Sequence, residues 1–214
     1  MNASEILEMI ADEVRTCKRC ELHHSRKNAV PGEGPADSKM IFIGEGPGFY
    51  ENEQGRPFVG PAGKFLDELL EQAGVKRNEV FIANVVKCRP PGNRDPQIEE
   101  LSACGEFLDR QIEAINPRIV VTLGRFSMAK YLPNAKISRI HGQPQWVDDR
   151  LIVPMYHPAA ALHQPALRST VKEDFSYLPK WVLEAEKRKT FNKNLPTQGD
   201  NESQDVDPTQ LSLF

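Results

Sequence analysis

The chain has 214 residues, 39% of them hydrophobic, and a formal net charge of -3. That is enough apolar material for one packed domain. It lacks both an apolar run of membrane-spanning length and the bulk positive charge of a general nucleic-acid binder. The acidic, helix-patterned start MNASEILEMIADEV does not read as a signal peptide, so a soluble intracellular protein is expected.

Residues 3–16 form an amphipathic pattern that predicts a helix ending near CKRC, followed by a loop with Pro31, Gly32, Gly34 and Pro35. Four short apolar, mostly β-branched runs then predict strands: MIFIG (40–44), VFIANVV (80–86), RIVVTLG (118–124) and LIVPMYH (151–157). Between the first two, GKFLDELLEQAG puts Phe65, Leu66, Leu69, Leu70 and Ala73 on one helical face, with Gly74 placed to end the helix. PQIEELSACGEFLDRQIEAI predicts a longer helix, FSMAKYL a short one, and STVKEDFSYLPKWVLEAEKRK a helix interrupted at Pro179.

Strands alternating with helices predict a three-layer α/β/α sandwich around a mainly parallel four-stranded sheet. Ligands of such sheets sit beyond the carboxyl ends of the strands, so the informative loops begin at Gly44, Lys87, Gly124 and His157. Residues 1–190 are read as the domain and 191–214 as a polar, disordered tail. The tail carries one lysine and four acids, which leaves residues 1–190 formally neutral. It ends in QLSLF, an apolar motif that a solvated tail does not need.

The stretch GEGPGFYENEQGRPFVGPAGKF (44–65) holds six glycines and three prolines. Its glycines let backbone approach a ligand, and a phosphate cradle is the first thought. It has neither the Gly-Lys-Ser/Thr nor the G-x-G-x-x-G spacing, and Glu45 would repel a phosphate. A structural strand-to-helix turn is the alternative. Asn84, on the second strand, can donate and accept at once, as a pyrimidine edge requires; otherwise it is a core amide bonded to backbone. His157 ends the last strand beside Pro158. The cysteines spell C-x2-C (Cys17, Cys20), a 67-residue gap, and C-x15-C (Cys88, Cys104). Paired spacing in a reducing compartment suggests metal ligation before disulfides, and four thiolates suit zinc or a [4Fe–4S] cluster. Spacing alone favours zinc.

Taken together, GEGPG…GRPFVGPAG, NVVKCRPP, HPA and the four cysteines resemble the family 4 uracil-DNA glycosylases, the iron–sulfur branch of that superfamily, over roughly residues 5–185. The resemblance implies a monofunctional enzyme that flips uracil from DNA and hydrolyses its N-glycosidic bond, initiating base excision repair. It implies that Phe58 stacks beneath the base, Asn84 pairs with its Watson–Crick edge, and His157 donates to O2 as negative charge develops there. Glu45 and the Gly46 backbone line the sugar side and help place water, and Glu51 fills space beside C5. It turns the four cysteines toward a structural [4Fe–4S] cluster, with zinc as the alternative. Better-known uracil glycosylases carry Asp where this chain has Gly46, and many members carry Asp where it has Asn52. A related branch traps uracil through a His in a basic insertion after the second strand; KCRPPGNRDPQ has neither, which argues against that activity.

Lys87, Arg89, Arg94, Arg139, His141, Arg168 and Lys172 fall near the expected ligand end, where phosphate contacts would position DNA without reading sequence. Arg89 and Arg168 head the DNA-binding candidates. Relatives place a Leu wedge in the segment after His157; here Ala161 stands in that place, with Leu162 next. QLSLF resembles the peptide that bacterial repair proteins insert into the DNA sliding clamp, with Gln210 as amide hook and Leu211, Leu213 and Phe214 as apolar contacts. A cytoplasmic, nucleoid-associated monomer is expected.

Overall fold

The structure is a computed structural model and describes residues 1–193. The QLSLF motif lies outside the described residues.

The chain opens with α1 (Ala3–Thr16) and the short α2 (Leu22–Ser25), then runs β1 (Met40–Gly44), α3 (Phe49–Gln54), α4 (Pro61–Gln72), β2 (Phe81–Asn84) and α5 (Ile98–Ile115). It continues through β3 (Ile119–Leu123), α6 (Arg125–Ala129), α7 (Ile137–Ile140), β4 (Gln145–Val147), β5 (Arg150–Met155), α8 (Pro158–His163), α9 (Leu167–Ser176) and α10 (Leu178–Lys193). The four predicted strands form the parallel part of the sheet. A fifth, β4, pairs antiparallel with β5, giving the order β2-β1-β3-β5-β4. Its sequence, QWV, is too short and too polar-flanked to show as a strand by pattern. β2 stops at Asn84, earlier than the apolar run suggested, and Val85 and Val86 leave the strand while still donating to the Gly44 and Glu45 carbonyls.

Side chains alternate across a strand, so each central strand supplies both layers of core. On one face Phe42, Ile82, Val121 and Val153 meet Phe65, Leu66 and Leu69 of α4 and Val171 and Phe175 of α9. On the other, Ile41, Ile43, Ala83, Val120 and Ile152 meet Leu108 and Ile112 of α5. Burying a side chain such as Phe42 or Leu69, each fully shielded here, contributes about 1.5–3 kcal/mol. The predicted α4 face is the buried one, and Gly74 follows the helix at φ +70, where a side chain would be strained. The predicted break near Pro179 falls at Tyr177, between α9 and α10.

A third cluster joins Ile10 and Val14 of α1 to Leu22, Val86, Cys88, Cys104 and Phe107. α1 starts with a reciprocal cap, in which Asn2 Oδ1 accepts from Glu5 N and Glu5 Oε2 accepts from Asn2 N, each at 2.9 Å. Arg110 of α5 grips Glu13 of α1 through both guanidinium nitrogens, at 2.5 and 2.7 Å. These contacts fix the N-terminal cysteine pair beside the other two.

Candidate active site

Gly44 ends β1, and register pairs it with Asn84 at the end of β2. A Cβ at Gly44 would lie 2.4 Å from Asn84 Oδ1 and 2.7 Å from Phe58 Cζ, so only glycine lets the amide and the ring close over this strand end. The Phe58 and His157 rings face each other at 5.5 Å and 28°. Phe58, Asn84 and His157, from three distant segments, therefore converge at one end of the parallel strands, as expected of such a sheet.

Phe58 has φ +50, a left-handed backbone that costs a non-glycine residue about 1–2 kcal/mol. Two features hold it there. Gly63 in the first turn of α4 packs so closely that a Cβ would fall 1.9 Å from the Phe58 carbonyl oxygen. Glu51 clasps the surrounding loops: its Oε1 accepts from the N–H groups of Val59 and Gly60, both at 2.8 Å, and its Oε2 from Gly48 N at 3.1 Å. The family resemblance implies a space-filling role for Glu51 beside the base. In the structure its carboxylate ties the GEGPG turn to the RPFVG loop.

Asn84 is 2% exposed and its Oδ1 has no hydrogen-bond partner. Native proteins rarely leave a buried amide oxygen unmatched, and the omission costs about 1–3 kcal/mol. The core-amide reading, in which backbone satisfies Asn84, does not account for this oxygen. His157 caps α8, and its Nδ1 accepts from Ala159 N at 3.2 Å. Burial lowers its pKa to about 4, partly offset by the Glu51 carboxylate. A neutral ring whose Nδ1 accepts carries its proton on Nε2, so His157 presents an N–H donor. Glu45, half-buried just past β1, has its carboxyl pKa raised by burial and by nearby Asp95, against an opposing pull from Arg125. Arg125 and Asp95 form an ion pair with each other. Gly46 sits against Val86, where a Cβ would meet Cγ2 at 2.8 Å.

The candidate DNA contacts divide. Arg89 lies over the exposed Phe49 ring at 5.4 Å and donates to Asn93. Arg168 is exposed over Phe65 and reaches Glu68 at 3.4 Å. Ala161 is buried in the core at 2% exposure, whereas Leu162 is 38% exposed, which leaves Leu162 as the side chain able to reach outward. Three of the proposed phosphate contacts are engaged internally. Lys87 is buried, with its Nζ donating to Gln111. Arg94 makes a two-nitrogen pair with the buried Glu100. His141 Nδ1 bonds Asp174 Oδ2 at 2.8 Å. The exposed pair Phe49 and Tyr50 beside the site was missed; two adjacent aromatics in a Gly- and Glu-rich loop were the available signal.

The four cysteines form no disulfide with one another and line one cavity, together with Arg19, Arg26 and Lys87. Backbone N–H groups of Arg19 and Lys87 donate to Cys17 Sγ (3.4 Å) and Cys104 Sγ (3.2 Å), and an Arg26 guanidinium nitrogen donates to Cys88 Sγ at 3.2 Å. Burial pushes the Cys104 thiol up to about 11 and raises Cys20 and Cys88. Among the described residues, no three His, Cys, Asp or Glu side chains are drawn together closely enough to hold a single metal ion as they stand. A donor set of four thiols with N–H groups aimed at three of the sulfurs fits a thiolate-held group.

A domain of this architecture, with Phe58, Asn84 and His157 at its strand ends, has known counterparts. The profile of the Uracil DNA glycosylase superfamily matches residues 31–178. A Type-4 uracil-DNA glycosylase of Sulfurisphaera tokodaii is 48% identical over 79% of this chain and 81% of its own. One from Thermotoga maritima is 45% identical over 79% and 91%, and a Type-5 uracil-DNA glycosylase of Pyrobaculum aerophilum is 29% identical over 68% and 72%. The chain belongs to the type-4 uracil-DNA glycosylase family. Among the described residues no helix is long and apolar enough to cross a membrane.

Proposed function

We propose that this protein removes uracil from DNA by hydrolysing the N-glycosidic bond, leaving an abasic site and initiating base excision repair. Family membership supports the reaction, and one observation carries the site: the buried, unpartnered Oδ1 of Asn84 beside Phe58 and His157. An extrahelical uracil offers N3–H to that oxygen and O4 to the Asn84 amide N–H. Phe58 supplies the flat floor, and its fixed backbone keeps the ring from following the base out.

Bond cleavage sends negative charge onto the uracil O2. His157 donates Nε2–H to it from a neutral imidazole, which needs no proton uptake at neutral pH and leaves no cation to be neutralised. Such a donor contributes about 3–4 kcal/mol in a water-poor site. Glu45, with its carboxylate near the sugar side, holds the attacking water with help from the Gly46 backbone. Arg89 and Arg168 contact phosphates, and Leu162 fills the gap left by the flipped base.

Cys17, Cys20, Cys88 and Cys104 would hold a [4Fe–4S] cluster, which would supply a structural cross-link when bound. It would join α1 and the loop after β2 close to the Asn84 strand end. As-purified protein containing iron and sulfide would support this; a colourless, zinc-containing protein would refute it.

Single-stranded and duplex oligonucleotides bearing one uracil test the main reading. Incubation followed by alkali should break strands only at uracil. Intact strands would reject glycosylase activity. The terminal Gln210, Leu211, Leu213 and Phe214 are read as a sliding-clamp anchor, joined to the domain by the acidic segment after residue 190. Deleting residues 210–214 should abolish clamp pull-down while leaving uracil excision from oligonucleotides unchanged. Retained pull-down would rule the anchor out. The domain is expected to act as a monomer.

A further inference from the structure

Lys87 has the exposure of a core residue, 1%. Its Nζ donates to Gln111 Oε1 at 2.7 Å, and Gln111 Nε2 donates onward to the Pro31 carbonyl at 2.8 Å. No carboxylate is paired with it among the ion pairs of the described residues. A buried ammonium facing one neutral acceptor is strongly unfavourable, and proteins pair such charges or place them beside an ion of opposite sign. Lys87 lines the cavity of the four cysteines, and its own backbone N–H points at Cys104 Sγ. Arg26, a second cation with no carboxylate partner among the ion pairs of the described residues, donates to Cys88 Sγ from the same cavity wall. Two positive side chains, neither paired with a carboxylate among the described residues, thus flank four sulfurs.

A [4Fe–4S] cube in four thiolates carries a net charge of about -2 when oxidised and about -3 when reduced. We propose that the Lys87 ammonium, assisted by the Arg26 guanidinium, is the built-in countercharge of the group held by Cys17, Cys20, Cys88 and Cys104. This rests on the cluster reading above. Lys87 ligates nothing; it acts through its field. It stabilises the loaded protein over the empty one, and it favours the reduced, more negative form of the cluster over the oxidised form.

The test uses the full chain with Lys87→Gln and Lys87→Met. Gln keeps a hydrogen-bond donor for Gln111 without the charge; Met removes both. Iron and sulfide content, the rate at which visible absorbance bleaches under a chelator, and the reduction potential of the bound cluster are measured. Thermal unfolding of the metal-free proteins reports on the fold. Both variants should lose the cluster roughly tenfold faster, a size set by one charge acting through a protein medium. Their potentials should move to more negative values, and the metal-free variants should unfold no earlier than the parent. Arg26→Gln should change both readouts in the same direction but less, since it is partly exposed.

Parental bleaching rates and potentials in both Lys87 variants would overturn the proposal. So would a defect in Met alone, because the Gln111 hydrogen bond would then explain everything. If the parent protein holds zinc instead, the cluster reading fails separately. The countercharge is then judged by zinc release, with the same tenfold difference expected and equal release overturning it.

Discussion

His157→Ala should lower the rate of uracil excision by about 10²–10³-fold, with little change in DNA affinity. The argument rests on a single proton. Nδ1 is occupied by the Ala159 N–H, and burial keeps the ring neutral down to a pKa of about 4. The remaining proton is on Nε2, and the donor it makes is needed only as uracil leaves as an anion. His157→Gln, which retains an N–H donor, should recover part of the loss. Single-turnover rates on a uracil oligonucleotide separate these cases, and an unimpaired Ala variant would remove His157 from the mechanism. The pKa also has a thermodynamic sign. The unfolded ring, with a pKa near the ordinary 6.5, binds protons more readily than the folded one. Acidification from about pH 6.5 toward 4 therefore destabilises the fold through His157, and the Ala variant should lose that part of the pH dependence. If Glu45 holds the water, as proposed, its burial-raised carboxyl adds an acid-side loss of rate of its own, which Glu45→Gln should remove.

Asn84→Asp should reduce uracil excision by about 10²–10⁴-fold, because sites built around a hydrogen-bonding partner reject a mismatched edge strongly. The variant loses the amide donor to O4 and gains an acceptor for an exocyclic amine. Low but measurable excision of cytosine, assayed on otherwise identical oligonucleotides, is the companion result. Wild-type uracil rates in this variant would show that Asn84 does not read the base. Asn84→Val carries the opposite stability effect. It replaces the orphaned Oδ1 by a β-branched apolar side chain in a buried strand, and should raise the unfolding temperature while abolishing excision. Higher stability together with lost excision in this variant would support the proposed role of Asn84 as base reader.

Much of this was legible in the amino-acid sequence because it depends on local pattern. MIFIG and RIVVTLG are strands for the same reason that they are core, and the α4 face follows from helical spacing. The three residues now gathered at the strand ends were readable as a set only through the family resemblance, since no spacing brings residues 58, 84 and 157 together. What escaped depends on packing. Lys87 lies past the apolar run of β2 and looked like a surface charge, yet the turn after Asn84 carries it inward among the cysteines. Arg94 and His141 looked free because their partners, Glu100 and Asp174, are set by helix placement. β4 exists because β5 offers it an edge.

The clasp made by Glu51 has a consequence for how a base is received. Three backbone amides from two loops share one carboxylate, so the turn, the stacking platform and the start of α4 move as a single body. The entropy of ordering these loops is lost once, during folding, and not again at each encounter with DNA. For the proposed reaction, the stacking platform is thus ordered before a base arrives, and binding energy need not be spent on assembling it.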